Sequence, residues 1–454
     1  MSKTTWILLI AFLSSVSLSV GLYAINQPSE IYLTASITLF VAILWITEAL
    51  PIPATSMIPF AAFPLAGVIS HKEAASSLGS HVIMLLMAAF MLSKGLEKAD
   101  LHKRFAIYML RVTGSGSALK LILGFMLTTA VLSMWISNTA TILMILPMAI
   151  AIVNAMEGSR FGIALILGIA YAASLGGVAT PIGTPPNIIF MSVYEETQGV
   201  EYSFVDWMKT GVPIVVLSIP LMAMWLARGL GKVGEITLPE PGPWRKAEIR
   251  VLMVFGTVAM AWVFRPFWTG WLGITSIGDS TIAVAGVAAM FMINSGEEND
   301  DKLLNWKVAN DIPWGMLLLF SGGICIAKAF MASGLSGLMG GWLNELSVLP
   351  IFLLILVTCL FVTFLTEITS NTATATLLMP ILAVTGAAVG VDPKLLMIPA
   401  AISASCAFML PVATAPNAIA YATDKFDIKT MAREGVVLNI VVASVVSVVC
   451  YVTL

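Results

Sequence analysis

Charge is scarce in this 454-residue chain. Asp, Glu, Lys and Arg make up 11% of it, against about 25% in an ordinary soluble domain, while 59% is hydrophobic and the mean hydropathy is +0.96. Those proportions exclude a water-soluble globule and a disordered chain. The few charges nearly cancel, 23 basic against 25 acidic, so the chain is no polybasic nucleic-acid binder. Histidine is as sparse: His71, His81 and His102 never approach metal-ligand spacing. Four cysteines, Cys325, Cys359, Cys406 and Cys450, sit in apolar stretches without a CxxC pair, which predicts buried free thiols. There is no HExxH, GxSxG or P-loop, and Gly114-Ser-Gly116 follows no strand and reads as a polar connection. A membrane hydrolase would need a nucleophile–base pair that the apolar segments do not contain.

Long apolar runs are abundant. A spanning helix needs about 20 mostly apolar residues, and segments near 6–25, 31–50, 53–70, 80–95, 161–180, 210–230, 248–266, 279–293, 314–333, 394–413 and 434–453 qualify or nearly so. Two further apolar pairs, 117–136 with 140–156 and 349–369 with 373–389, each read as a hairpin that enters and leaves on one side. The expected fold is therefore an all-α polytopic membrane protein with eleven transmembrane helices. The first run lacks a small-residue cleavage site and is read as a helix of the mature protein. With the N-terminus in the cytoplasm, only Lys72, Lys209, Arg265, Lys328 and Lys394 fall outside, so the positive-inside rule predicts N-in and C-out. The acidic loop 195–206 then lies outside and the acidic stretch 297–301 inside. Residues Lys94 to Arg111, basic among apolar, read as an amphipathic helix on the inner surface.

The chain repeats itself. Ser137-Asn-Thr-Ala-Thr141 recurs as Ser370-Asn-Thr-Ala-Thr374, 233 residues on, and Pro147 and Pro380 match at the same offset. Gly183-Thr-Pro-Pro-Asn187 is echoed by Ala413-Thr-Ala-Pro-Asn417. Ordered matches at a near-constant offset indicate duplication. An N-terminal helix (1–30) precedes a first repeat (31–230, hairpin 117–156, broken helix 161–196). A linker, 231–247, leads to the second (248–454, hairpin 349–389, broken helix 394–421). Five crossings per repeat invert the second half, the arrangement of secondary transporters, whose sites lie at the repeat interface.

The motifs carry the chemistry. At a hairpin tip inside the membrane, half-helix N–H groups hold an anion and freed carbonyls hold a cation. Ser, Asn and Thr donate to carboxylates and offer oxygens to a hard ion. Proline and glycine in 176–187 and 411–417 unwind helices beside those tips. No Lys or Arg falls in these motifs, so an anionic substrate would be neutralised by helix ends, polar donors and co-bound cations. Two such cradles suit a small ligand with a carboxylate at each end. Glu367, beside the second motif where the first has Met134, is read as a hairpin hydrogen-bonding group before a proton carrier; as the lone acid there it leaves a cation/proton antiporter poorly supplied. Glu48, before Pro51 and Pro53, is read as interfacial.

The paired Ser-Asn-Thr motifs with Thr-Pro-type breaks resemble the divalent-anion:sodium symporter family, over nearly the whole chain from Thr47-Glu-Ala-Leu-Pro51 through Leu101-His-Lys-Arg104 and Ile312-Pro-Trp-Gly315. The resemblance implies a homodimer in the bilayer with an elevator-like transport domain. It implies substrate contacts at Ser137, Asn138, Thr139, Ser370, Asn371 and Thr372, with Thr184 and Thr414 beside them. It implies one sodium site at Ser133, Ser137, Asn138 and Gly183, and another at Thr366, Thr369, Asn371 and Ala413. The chain departs from the doubled Thr-Pro-Pro pattern at Ala415, which weakens that break and bears on the substrate. The implied function is sodium-coupled import of C4-dicarboxylates such as succinate, malate or fumarate across a bacterial inner membrane; a dicarboxylate exchanger, or a carrier of citrate, tartrate or sulfate, is the alternative within the class.

Overall fold

The computed structural model describes residues 3–113, 117–155, 159–231, 240, 242–274, 276–297, 301–343 and 350–454. The Gly114–Gly116 connection, most of the linker 231–247 and residues 298–300 of the acidic stretch lie outside these. Among the described residues the regular structure is helical, with no strand beyond one isolated bridge between Asn294 and Lys302. Eight of the described helices are long and apolar enough to cross a membrane, and a bent pair makes a ninth candidate. The four cysteines are buried and unpaired, as their apolar settings predict.

Proline decides where several expected spans end. The stretch 53–70 is not one span but two short helices, Ile52–Thr55 and Ile58–Leu65. Pro59 has no N–H, and its ring collides with the carbonyl four residues back, at Thr55. The span expected over 248–266 stops at Val263, and Arg265–Leu272 leaves at 76° with Pro266 in its first turn. The amphipathic helix expected from Lys94 to Arg111 is also corrected. Lys94 and Lys98 belong to the long helix His81–Lys98, and Asp100, at a left-handed φ of 56°, separates it from Leu101–Thr113. Arg104 on that second helix is buried: it donates to the Gly242 and Pro243 carbonyls at 2.9 and 2.7 Å and pairs with Glu248 at 2.9 Å. Lys98 pairs with Asp301 at 2.6 Å and holds that carboxyl below its usual range.

Two helical hairpins form the centre. The first has arms Ala118–Ser133 and Asn138–Ala155, the second Ile351–Thr366 and Asn371–Val389. Each first arm has 16 residues, about 24 Å at 1.5 Å per residue, short of the roughly 30 Å hydrocarbon core. Each hairpin is followed by a helix that breaks. Ser159–Gly176 runs into a 3₁₀ turn and resumes as Pro185–Gln198; Lys394–Ala404 stops and resumes as Ala415–Tyr421. The second break forms with Ala415 in place of a proline. The halves interlock: Pro185–Gln198 packs on the second hairpin, and Ala415–Tyr421 on the first.

Close approach, rather than apolar burial alone, holds the breaks against their neighbours, as expected where lipid offers no hydrophobic contrast. Helix Ile428–Thr453 passes the second break at Gly435, where a Cβ would lie 2.1 Å from the Phe408 carbonyl oxygen. Gly435→Ala must therefore push the break aside at a cost of about 1–3 kcal/mol. The expected outcome is a melting temperature in detergent several degrees below wild type; an unchanged melt would show that the contact yields freely.

Candidate functional site

The tips of both hairpins and the starts of both resumed helices open onto one cavity of about 960 Å³. Its walls include Ser137, Asn138, Thr139, Gly183 and Thr184 from the first half. From the second come Thr369, Ser370, Asn371, Thr372, Ala413 and Thr414. Residues separated by more than two hundred positions thus meet at a shared, polar floor. Ser133 and Thr366 do not line the cavity; they are buried directly behind it.

Those two hydroxyls organise matching oxygen clusters. Ser133 Oγ lies 2.6 Å from Asn138 Oδ1 and 2.6 Å from the Ala173 carbonyl oxygen. Thr366 Oγ1 lies 2.7 Å from Asn371 Oδ1 and 3.0 Å from the Ala404 carbonyl oxygen. A hydroxyl has one proton to donate, so each cluster gathers three oxygens around a single hydrogen. Such oxygen-rich, proton-poor places suit a hard cation. In the first, Gly177 has no Cβ to block the approach: one there would lie 2.7 Å from the Gly183 oxygen and 2.9 Å from Asn138 Oδ1. Thr369 behaves differently from its expected company. Its hydroxyl turns to the Leu365 carbonyl at 2.9 Å and to Thr374 at 2.6 Å.

Each break is pinned by an asparagine at its far side. Asn187 donates through Nδ2 to the Gly177 and Thr180 carbonyls at 3.0 and 2.8 Å. Asn417 does the same to Ala407 and Leu410 at 2.9 and 3.0 Å. Both asparagines are fully buried. Their place in the repeated Pro-Asn pairs was the available signal; the sequence reading assigned them no task. It also missed the Ala173 and Ala404 carbonyls, which carry no side-chain signature.

The hairpin ends grip the breaks in two ways. In the first, the Thr180 hydroxyl donates to the Met134 carbonyl at 2.5 Å, and Trp207 donates to the Val178 carbonyl at 2.8 Å. In the second, the Glu367 carboxylate accepts from the backbone N–H of Phe408, Met409 and Leu410 at 2.7, 2.9 and 3.0 Å, and from Asn439 Nδ2 at 2.7 Å. The acid is thus committed to hairpin hydrogen bonding. One lysine does reach the cavity wall: Lys94, whose ammonium is held by Glu97 at 3.0 Å and Asp311 at 3.3 Å. Glu48, at a left-handed φ of 48°, also lines the wall.

An uncharged cavity floor between two polar helix breaks, inside a bundle of membrane-length helices, is the architecture of a membrane transporter. The citrate transporter family CitMHS matches residues 42–397. The sodium-dependent dicarboxylate transporter SdcS of Staphylococcus saprophyticus is 38% identical over 440 residues, 92% of this chain and 85% of that protein. Its Staphylococcus aureus namesake is 37% identical over 450 residues, 94% and 86% of the two chains. The fold is similar to that of the YdaH transporter of Alcanivorax borkumensis, with a TM-score of 0.58 at 16% identity over 86% of this chain and 87% of that one. The chain belongs to the divalent-anion:sodium symporter family.

The unequal grips give a test. Glu367→Ala strands the half-buried N–H groups of Met409 and Leu410, each costing about 1–3 kcal/mol, and leaves Phe408 N–H only its longer bond to Asn439 Oδ1 at 3.2 Å, whereas Met134 enters its grip through its backbone carbonyl. Glu367→Ala is expected to lower the melting temperature by several degrees, and Met134→Ala by less than half as much. Equal shifts in a detergent melt would contradict the difference.

Proposed function

We propose that this chain imports C4-dicarboxylates such as succinate, malate and fumarate, coupled to sodium, by elevator-type alternating access. The observation that carries the reading is the single cavity floored by both Ser-Asn-Thr tips, with an oxygen cluster behind each. Sodium-dependent dicarboxylate transport is the named activity of the relatives that match over nearly all of this chain. One carboxylate of the dianion would rest on Ser137, Asn138, Thr139 and Thr184, the other on Ser370, Asn371, Thr372 and Thr414. Sodium would sit at Ser133, Ser137, Asn138 and Gly183, and at Thr366, Thr369, Asn371 and Ala413. Cations at these clusters would offset a doubly negative guest that meets no basic group on the cavity floor.

In this reading the chain is an inverted duplication, 31–230 and 248–454, of eleven transmembrane helices. Both hairpins are re-entrant, which the short first arms support. The N-terminus lies in the cytoplasm and the C-terminus outside, and two copies form a homodimer in the bacterial inner membrane. The hairpins, the broken helices and the helices that follow them would form the moving domain.

Uptake of radiolabelled succinate into proteoliposomes tests this directly. Uptake should follow an inward sodium gradient, and uptake driven only by internal dicarboxylate would make the protein an exchanger. Asn138→Ala and Asn371→Ala are each expected to abolish uptake while leaving insertion and folding intact; normal uptake by both would overturn the site. Thr184→Ala should raise KM with little change in maximal rate. A monocarboxylate of the same length should compete at least tenfold more weakly than succinate, since it forfeits one cradle. Equal competition would refute the two-cradle assignment.

A further inference from the structure

Thr184 and Thr414 occupy the same place in the two breaks. Each is the N-cap of the helix that resumes, with nearly the same backbone: φ −146°, ψ 144° and φ −142°, ψ 152°. Their hydroxyls nonetheless go to different partners. Thr414 accepts from the Asn417 N–H at 3.2 Å and caps its own helix. Thr184 makes no such cap; its Oγ1 lies 3.1 Å from Ser405 Oγ, across in the other break.

Ser405 has a counterpart. Ala173 and Ala404 are equivalent, since each carbonyl lies against the hydroxyl of a hairpin end, Ser133 or Thr366. The residues after them are Ser174 and Ser405, both 1% exposed. The Ser174 hydroxyl has no hydrogen-bond partner. The Thr184–Ser405 bond thus crosses between the breaks, and no matching bond joins Ser174 to Thr414. Ser405 holds Thr184, while Thr414 caps its own helix. A buried hydroxyl without a partner costs free energy.

The difference matters at the cavity. Pro185 and Pro186 open the first resumed helix and have no N–H to donate. Asn187 N–H is the first amide available there, and it donates to the Thr184 carbonyl three residues back at 3.2 Å. With the Thr184 side chain drawn to Ser405, nothing from that side chain covers this helix end, and Thr184 and Pro185 line the cavity.

We propose that Ser405 is a positioning residue for transport: it holds the Thr184 hydroxyl off its own helix and so presents that hydroxyl and the uncapped helix start to a substrate carboxylate. The proposal rests on reading the cavity as the dianion site. Without Ser405, Thr184 falls back to capping its own helix, as Thr414 does.

The test uses the full chain in proteoliposomes, with succinate uptake measured under an inward sodium gradient. Ser405→Ala is expected to raise KM about tenfold, the worth of roughly one hydrogen bond, with maximal rate largely kept. Ser405→Thr should restore the wild-type KM, which a merely structural role for the side-chain volume would not predict. On a Thr184→Ala background, Ser405→Ala should add nothing further. Should Ser405→Ala insert poorly, Ser405→Cys keeps the volume while weakening the bond, and equilibrium succinate binding in detergent reads the same shift. A KM within twofold of wild type for Ser405→Ala or Ser405→Cys, or independent effects in the double variant, would overturn the proposal. If wild type itself carries no succinate, the reading of the cavity fails instead.

Discussion

A backbone that unwinds inside apolar surroundings exposes N–H and C=O groups that must be answered by the protein itself, because lipid cannot answer them. That constraint shapes the centre of this molecule. Asn187 and Asn417 each bind two carbonyls of the break that precedes them. Glu367 takes three N–H groups of the second break, and Thr180 ties the first to the Met134 carbonyl. With the breaks so pinned, Gly183, Thr184, Ala413 and Thr414 line one cavity. Interlocking of the halves, each broken helix against the other's hairpin, then brings the two sets together.

The chemistry follows from how protons are counted there. Around Ser133 and Thr366 the oxygens outnumber the hydrogens that could bridge them, which disfavours an empty cluster and favours a cation. On the cavity side, amides and hydroxyls offer donors to an anion but no fixed positive charge. In the proposed reading neither ligand would be well served alone, and each would offset the other. In that reading, coupling between ion and substrate follows from the electrostatics of the floor. Lys94 leaves this unchanged, since two carboxylates already hold its ammonium.

Much of this was legible in the residues. The duplicated Ser-Asn-Thr pentads and the Pro-Asn breaks announced the tips, and the structure brings 137–139 and 370–372 to one cavity. Span boundaries were less legible where proline acts at a distance of four residues: Pro59 ends a helix at Thr55, and Pro266 turns a chain that hydropathy alone would run straight. The left-handed turn at Asp100 was equally hidden, because an amphipathic pattern reads through it. Backbone acceptors such as the Ala173 and Ala404 carbonyls leave no trace in residue type. The reach of Thr184 to Ser405 depends on how the halves interlock, which no local pattern encodes.

Equilibrium binding of radiolabelled succinate to the purified protein, titrated with sodium at constant ionic strength against choline, tests the central claim most directly. If cations in the two oxygen clusters offset the dianion, saturable binding should vanish in choline, and the apparent Kd should fall more steeply than the first power of sodium concentration. Equal succinate affinity in sodium and in choline would contradict it.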